Sequence, residues 1–256
     1  IAPVPQGEAS KSLEALAALY DRFASMRLDR QSTVVALGGG VIGDLAGFAA
    51  ATYLRGLALA QVPTTLLAQV DSSIGGKTGI DLPCGKNLVG AFHQPRAVIA
   101  DVDTLATLPP VQLRSGMAEV VKYGMIADAA LFAALEGDAD SLLAGAPEPL
   151  RRVVRRSCEI KAAVVSQDPR EHGRRAILNY GHTVGHALEA VLGYGTITHG
   201  EAVAFGMSAA ARLAVRLGLL APGDAARQDR LLQRLGLPTL AAPHGIRVGG
   251  EWLMDL

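Results

Sequence analysis

Apolar positions along the chain change period about two fifths of the way through. Over residues 11–29, Leu13, Leu16, Ala17 and Tyr20 recur at helical spacing, so a helix with that face buried is expected. The run Thr33-Val34-Val35-Ala36-Leu37 is short, apolar and β-branched, which predicts a strand. Three glycines follow, and a helical stretch then runs to about residue 54. Residues 57–62 read as a second strand closed by Pro63, and residues 97–100 as a third closed by Asp101. Strand, helix and strand in that order predict a parallel sheet with helices packed on it. Beyond residue 105 the strand signals vanish, and helical periodicity holds to roughly residue 235. The expected organisation is an α/β domain over 1–105 and an all-α domain over 106–256. No internal repeat is visible, and the one biased tract is the Ala- and Pro-rich loop at 144–149.

Composition narrows the function classes. With 50% hydrophobic residues in 256, the chain can bury a sizeable core. Lys plus Arg and Asp plus Glu both number 24, so net charge supplies no pull toward nucleic acid or an acidic surface, and no nucleic-acid partner is expected. The most apolar stretch, 202–220, is broken by Arg212 and Arg216, so no membrane association is expected. No signal peptide is evident. Cys84 and Cys158 are isolated, which gives neither a disulfide framework nor metal-ligand spacing and points to the cytoplasm. The chain opens at Ile1 without Met and stops just after the apolar Trp252-Leu253-Met254, so it reads as a piece of something longer.

Gly38, Gly40 and Gly43 fit G-x-G-x-x-G directly after a strand and at the start of a helix. Glycines there let backbone N–H groups approach a pyrophosphate, although a plain glycine-rich turn fits the pattern equally. The second strand ends in Gln61-Val62-Pro63, without the acid that usually holds the ribose hydroxyls. Asp71-Ser72-Ser73-Ile74-Gly75-Gly76-Lys77-Thr78 and Gly85-Lys86-Asn87 are too polar and glycine-rich for core. Gly-Gly-Lys-Thr lacks the upstream glycine of an NTPase P-loop, since position 71 is Asp. An anion-binding loop is favoured over a merely solvated one.

Charged residues on helix faces supply the remaining candidates. On the helix near 151–165, Val154, Cys158 and Val165 mark a buried stripe, and Lys161 falls on it. It needs an anionic partner or must snorkel at the helix edge. Glu119 and Lys122 share a face, and without further context they read as a surface ion pair. His182 and His186 are four apart, Asn179 precedes them, Glu189 follows, and His199-Gly200-Glu201 adds a third imidazole. Two histidines at that spacing can reach one metal, so the cluster predicts metal or acid–base work.

Several segments together resemble the 3-dehydroquinate synthase family of sugar-phosphate cyclases. They are Leu37–Asp44, Pro63–Lys77, Gly85–Asn87, Ala118–Lys122, Asn179–His186 and His199–Glu201, in the family's order and spacing. The resemblance implies a Rossmann-like first domain, partial here, and a helical metal- and substrate-binding second domain. It also implies conversion of 3-deoxy-D-arabino-heptulosonate 7-phosphate to 3-dehydroquinate plus phosphate. In that reaction a bound NAD removes a hydride and returns it, phosphate is eliminated between the two transfers, and the ring opens and recloses by an aldol step.

By the same resemblance, Glu119, His182 and His199 hold Zn²⁺ or Co²⁺, while His186 lies at the phosphate end as an acid–base or anion contact. Lys77, Asn87, Lys122, Lys161, Arg175 and Asn179 grip phosphate, carboxylate and hydroxyls. Asp71 and Glu171 match further substrate-side carboxylates. Arg55 matches an arginine that reaches the neighbouring subunit's site in a homodimer. Matching cofactor positions are Glu8, Lys11, Gly39, Gly40, Val41, Ile42, Gly43, Asp44, Thr64, Thr65, Lys77, Lys86, Thr104, Leu105, Ala106 and Thr107. Glu8 and Lys11 then stand in for the missing ribose acid. Departures are Gln6 and Pro169, each where the family favours an acid, and a substrate-binding lysine of the family's longer tail with no counterpart here. The alternatives are a cyclase making 2-deoxy-scyllo-inosose or 2-epi-5-epi-valiolone, a metal-dependent polyol dehydrogenase, and an inactive truncated module.

Overall fold

The computed structural model describes residues 1–171 and 173–242, with backbone alone at 247–248 and 251–252. The side chains of Trp252-Leu253-Met254 lie outside the described residues. The chain divides into two compact units, Ile1–Leu105 and Ala106–Leu256.

In the first unit, α1 (Leu13–Ser25) starts at the N-cap Ser12, whose hydroxyl accepts the Ala15 N–H. Its buried stripe is Leu16, Leu19 and Phe23, not the expected Leu13, Leu16, Ala17 and Tyr20. The helix begins two residues later than expected, so Leu13 lies in the first turn, 59% exposed, and the i, i+3, i+7 set turns inward. Strands β1 (Thr33–Gly38) and β2 (Ala58–Pro63) pair in parallel from Thr33↔Ala58 to Gly38↔Pro63, with α2 (Gly40–Thr52) between them in sequence. A short β5 (Ala97–Val98) adds to β2, again in parallel. One sheet face packs Val34, Ala36 and Leu59 against α1 and against Leu45, Phe48 and Ala49 of α2.

The polar segment around Lys77 is a hairpin, which corrects the expected loop. Strands β3 (Lys77–Leu82) and β4 (Gly85–Phe92) pair antiparallel. Glycine content concealed them because the backbones come unusually close. A Cβ on Gly90 would lie 2.2 Å from the Thr78 carbonyl oxygen, so only glycine permits that contact.

The second unit is helical among its described side chains: α3 (Pro110–Ala127), α4 (Ala129–Leu143), α5 (Pro147–Gln167), α6 (His182–Leu192), α7 (His199–Arg216) and α8 (Pro222–Arg234). A two-residue ladder, β6 (Arg247–Val248) with β7 (Glu251–Trp252), follows. Helix α3 is buried on all sides from Ser115 to Gly124, and Glu119 and Lys122 are therefore interior. The surface ion pair expected for them is corrected accordingly. On α5 the buried stripe is broader than expected, running through Leu150, Val153, Val154, Ser157, Ile160, Lys161, Val164 and Val165, with Cys158 at its edge.

Helix α4 is started by Asp128, whose Oδ1 accepts the N–H groups of Ala130 and Leu131 at 3.0 Å each. Asp128 also pairs with Arg156 of α5. The Leu131 N–H, then the Arg156 guanidinium, hold this carboxyl below the usual aspartate range. A depressed folded pKa contributes stability above the unfolded pKa and loses it as pH falls through the folded value. Asp128→Ala is expected to cost about 1 kcal/mol at neutral pH. That difference should shrink toward zero in acid, as urea denaturation of both proteins at the two pH values will show.

Candidate active site

In the first unit, β1 leads through Gly39 into α2, whose first turn receives no side-chain cap. The amides of Gly40 and Val41 open the helix there, and Ile42 and Gly43 already donate back to Gly39. An uncapped helix N-terminus after a parallel strand suits a pyrophosphate. Gly43 packs against Gln61, whose Nε2 donates to the Gly43 carbonyl at 3.2 Å. Thr64 donates its N–H to the Gly38 carbonyl at the end of the strand, and the Thr65 hydroxyl accepts from Ala68.

A polar cluster is centred on Lys11. The Lys11 Nζ lies 2.9 Å from Asp44 Oδ2 of α2, 3.6 Å from Glu8 and 3.8 Å from Asp81. It also donates to Asn87 Oδ1, and Lys86 lies 3.6 Å from Glu8. Burial opposes the Lys11 charge, but Asp44, Glu8 and Asp81 together outweigh it and raise its pKa. Burial is also the largest influence on Asp44 and holds its carboxyl above the ordinary value despite Lys11. Asp81 was not anticipated from the sequence. Its Oδ1 accepts the Asn87 N–H at 2.7 Å and fixes that residue at φ 55. Gln69, also unanticipated, is buried and ties the Pro63 and Asp101 carbonyls to Thr104.

Of the remaining candidates in this unit, Lys77 is exposed at the start of β3, and Asp71 lies in a π-helical turn, Ala68–Ser72. Arg55 is exposed beside Leu54, both with left-handed backbone. Leu105 is buried, whereas Ala106 and Thr107, which open the second unit, are exposed.

In the second unit the chain builds a convergent donor set. His182 is the first residue of α6, after Gly181 in left-handed conformation. His199 is the first residue of α7, set by a capping box in which the Thr198 hydroxyl accepts the Glu201 N–H and Glu201 accepts the Thr198 N–H. Glu201 therefore places His199. The Gly200 N–H is held by the Ser115 hydroxyl of α3 at 3.0 Å.

Glu119 is wholly buried, and His182 Nε2 and His199 Nε2 each lie 3.4 Å from its Oε1. Ligand atoms of these three residues all lie within 4.8 Å of one another. Lys122 pairs with the other Glu119 oxygen. The Tyr180 carbonyl accepts His182 Nδ1–H at 3.2 Å, which leaves the Nε2 lone pair facing Glu119. Burial, the largest influence, keeps the His182 pKa low and the ring neutral. For His199 burial also disfavours charge, but Glu119 and Glu189 outweigh it and push the pKa up to about 10. A divalent cation would displace that proton, so its uptake strengthens as pH rises. Two imidazoles and one carboxylate suit Zn²⁺ or Co²⁺ and leave a coordination position open.

His186 does not join this set. It is exposed, edge-on to His182 with ring centroids 5.3 Å apart, and it groups instead with Glu189 and His199. His182 and His186 share a helix face, yet the donors that group with Glu119 of α3 are His182 and His199. Lys161 and Arg175 are buried at 5% and 2% exposure. Arg175 lies in a 3-10 turn, Arg174–Asn179, that packs on α3 and α5. Its guanidinium donates to the Pro169 carbonyl at 3.0 Å. Asn179 donates to Glu171 at 3.2 Å.

The fold, an α/β unit followed by a helical unit, is shared with solved sugar-phosphate cyclases. A solved 2-deoxy-scyllo-inosose synthase, complexed with carbaglucose-6-phosphate, NAD⁺ and Co²⁺, is 39% identical with a TM-score of 0.84, over 90% of this chain and 63% of that one. The 2-epi-5-epi-valiolone synthase ValA from Streptomyces hygroscopicus subsp. jinggangensis 5008, with NAD⁺ and Zn²⁺ bound, is 32% identical with a TM-score of 0.87, over 92% and 66%.

The chain belongs to the 3-dehydroquinate synthase family. The model of the family's N-terminal part matches residues 1–115, and that of its C-terminal part matches residues 116–249. The curated 3-dehydroquinate synthase of Symbiobacterium thermophilum is 62% identical over 244 residues, 95% of this chain and 68% of its own length. The chain thus spans about two thirds of its relatives. The resemblance read from the sequence is borne out, and the family favours a 3-dehydroquinate synthase over the alternative cyclases and the polyol dehydrogenase. Among the described residues, no helix is long and apolar enough to cross a membrane.

Proposed function

We propose that the protein is a 3-dehydroquinate synthase that uses NAD and Zn²⁺ or Co²⁺ and acts as a cytoplasmic homodimer. In this reading the first unit binds NAD and the second binds the metal and the sugar-acid phosphate. The carrying observation is the meeting of Glu119, His182 and His199 in a unit that also buries Lys122, Lys161 and Arg175. The solved cyclases that carry NAD⁺ with Co²⁺ or Zn²⁺ support the cofactor assignment.

When bound, the nicotinamide supplies reversible hydride transfer and the metal polarises the hydroxyl that is oxidised. The protein's residues do the rest. Lys161 and Arg175 set cationic charge in a low-dielectric interior, which suits a substrate bearing both carboxylate and phosphate. Asn179 offers an amide to hydroxyls. His186, exposed beside the donor set, can exchange a proton at the phosphate end. In the first unit, the α2 N-terminus receives the pyrophosphate and the Lys11–Asp44–Glu8 cluster receives ribose.

The alternative cyclases act on substrates without a carboxylate, which gives the test. With NAD and Co²⁺ present, phosphate should be released from 3-deoxy-D-arabino-heptulosonate 7-phosphate and not from a carboxylate-free heptulose phosphate. Release from the second substrate alone would overturn the assignment.

A further inference from the structure

Resting on the metal reading above, we infer that Glu189 is a positioning residue that fixes the His199 imidazole through its Nδ1 so that Nε2 serves the metal. His199 stands between two carboxylates. Its Nε2 lies 3.4 Å from Glu119 and its Nδ1 lies 3.8 Å from Glu189. A neutral imidazole carries one N–H and one lone pair, so the nitrogen facing the metal must be the bare one. The hydrogen then sits on Nδ1, toward Glu189. His182 solves the same problem differently, with the Tyr180 carbonyl as its Nδ1 acceptor. The two imidazoles are thus oriented by different groups, one neutral and one charged, and the charged one makes its imidazole the stronger donor.

The backbone holds this geometry in place. Glu189 sits on α6 and His199 opens α7, and the two helices touch through glycines. A Cβ on Gly206 would lie 1.9 Å from the Gly181 carbonyl oxygen, and one on Gly185 would lie 2.9 Å from that of Ala202. Glu189 is nearly buried, with its side chain 12% exposed. The 3.8 Å separation is that of an ion pair rather than a hydrogen bond. A cation on Nε2 would make Nδ1–H more acidic and so strengthen its pairing with the carboxylate.

His186, Glu189 and His199 also form a group able to hold an ion of its own. Using Nδ1 for a second metal would require His199 to bridge two ions as an imidazolate. The positioning role needs only its ordinary neutral form.

Titration of the metal-free protein with Co²⁺, followed by its visible absorption, tests the inference independently of turnover. The wild type should bind one Co²⁺ per chain. Glu189→Gln should bind it about 10–100-fold more weakly, with a shifted Co²⁺ band and an unchanged far-ultraviolet dichroism spectrum. Glu189→Asp, which keeps the charge on a shorter arm, should recover part of the affinity even where the glutamine variant folds poorly. Unaltered Co²⁺ affinity and spectrum in both variants would overturn the role of Glu189 while leaving the metal reading intact. A second Co²⁺ in the wild type, lost in Glu189→Gln and in His186→Ala, would make Glu189 a ligand instead. A wild type that binds no Co²⁺ would remove the metal reading itself.

Discussion

His182→Ala should lose both bound metal and turnover, whereas His186→Ala should keep the metal and lose turnover. His182 supplies one of three donors that lie within 4.8 Å of one another, and its ring is held by the Tyr180 carbonyl. Removing a direct donor should weaken metal binding by more than the roughly 10–100-fold that an outer partner contributes. The proton that Glu119 and Glu189 favour on His199 competes further with a cation held by two donors. His186 is exposed and stands outside the donor set. Its loss should reduce turnover by about 10²–10⁴-fold, the usual contribution of a general acid or base. Metal analysis after gel filtration, paired with phosphate-release rates, separates the two variants. Metal loss in His186→Ala would restore the simpler reading in which both histidines of α6 share one ion.

The second large effect is structural. Gly206→Ala should destabilise the helical unit by about 3 kcal/mol or more, because the new methyl meets backbone rather than a side chain able to move aside. That carbon would lie 1.9 Å from the Gly181 carbonyl oxygen, and Gly181 immediately precedes His182. The unfolding midpoint should fall by roughly 10 °C, and metal affinity should fall with it. Gly137→Ala is the matched control. Gly137 is exposed in α4, with nothing within 4 Å of a Cβ built there. The same substitution should stabilise α4 by about 0.5–1 kcal/mol. A scanning calorimeter distinguishes the pair, and equal shifts would mean that the α6–α7 contact is looser than the structure gives.

Much of this site is legible in the sequence, for identifiable reasons. Regular periodicity makes β1, β2 and the run of helices readable, and the spacing of His182, His186 and His199 marks a chemical cluster. Glu119 is not readable by pattern, because an i, i+3 pair with Lys122 looks the same on a surface as in a core. Only the burial of α3 on every side, a tertiary fact, distinguishes them. The β3–β4 hairpin is obscured because the glycines that let its strands approach also resemble loop composition. Asp81 acts through the backbone N–H of Asn87, and the Tyr180 carbonyl acts on His182. Backbone groups leave no trace in residue type. The family resemblance supplies the separation of His182 from His186 that spacing alone leaves open.

The most direct test of the account follows phosphate and reduced nicotinamide together in one reaction. The protein, loaded with NAD and Co²⁺, is mixed with 3-deoxy-D-arabino-heptulosonate 7-phosphate. Because the hydride is taken and then returned, phosphate should accumulate over many turnovers while NADH does not. Accumulation of NADH in step with product would mark a dehydrogenase, and the absence of both phosphate and NADH from the fully loaded protein would contradict the synthase assignment.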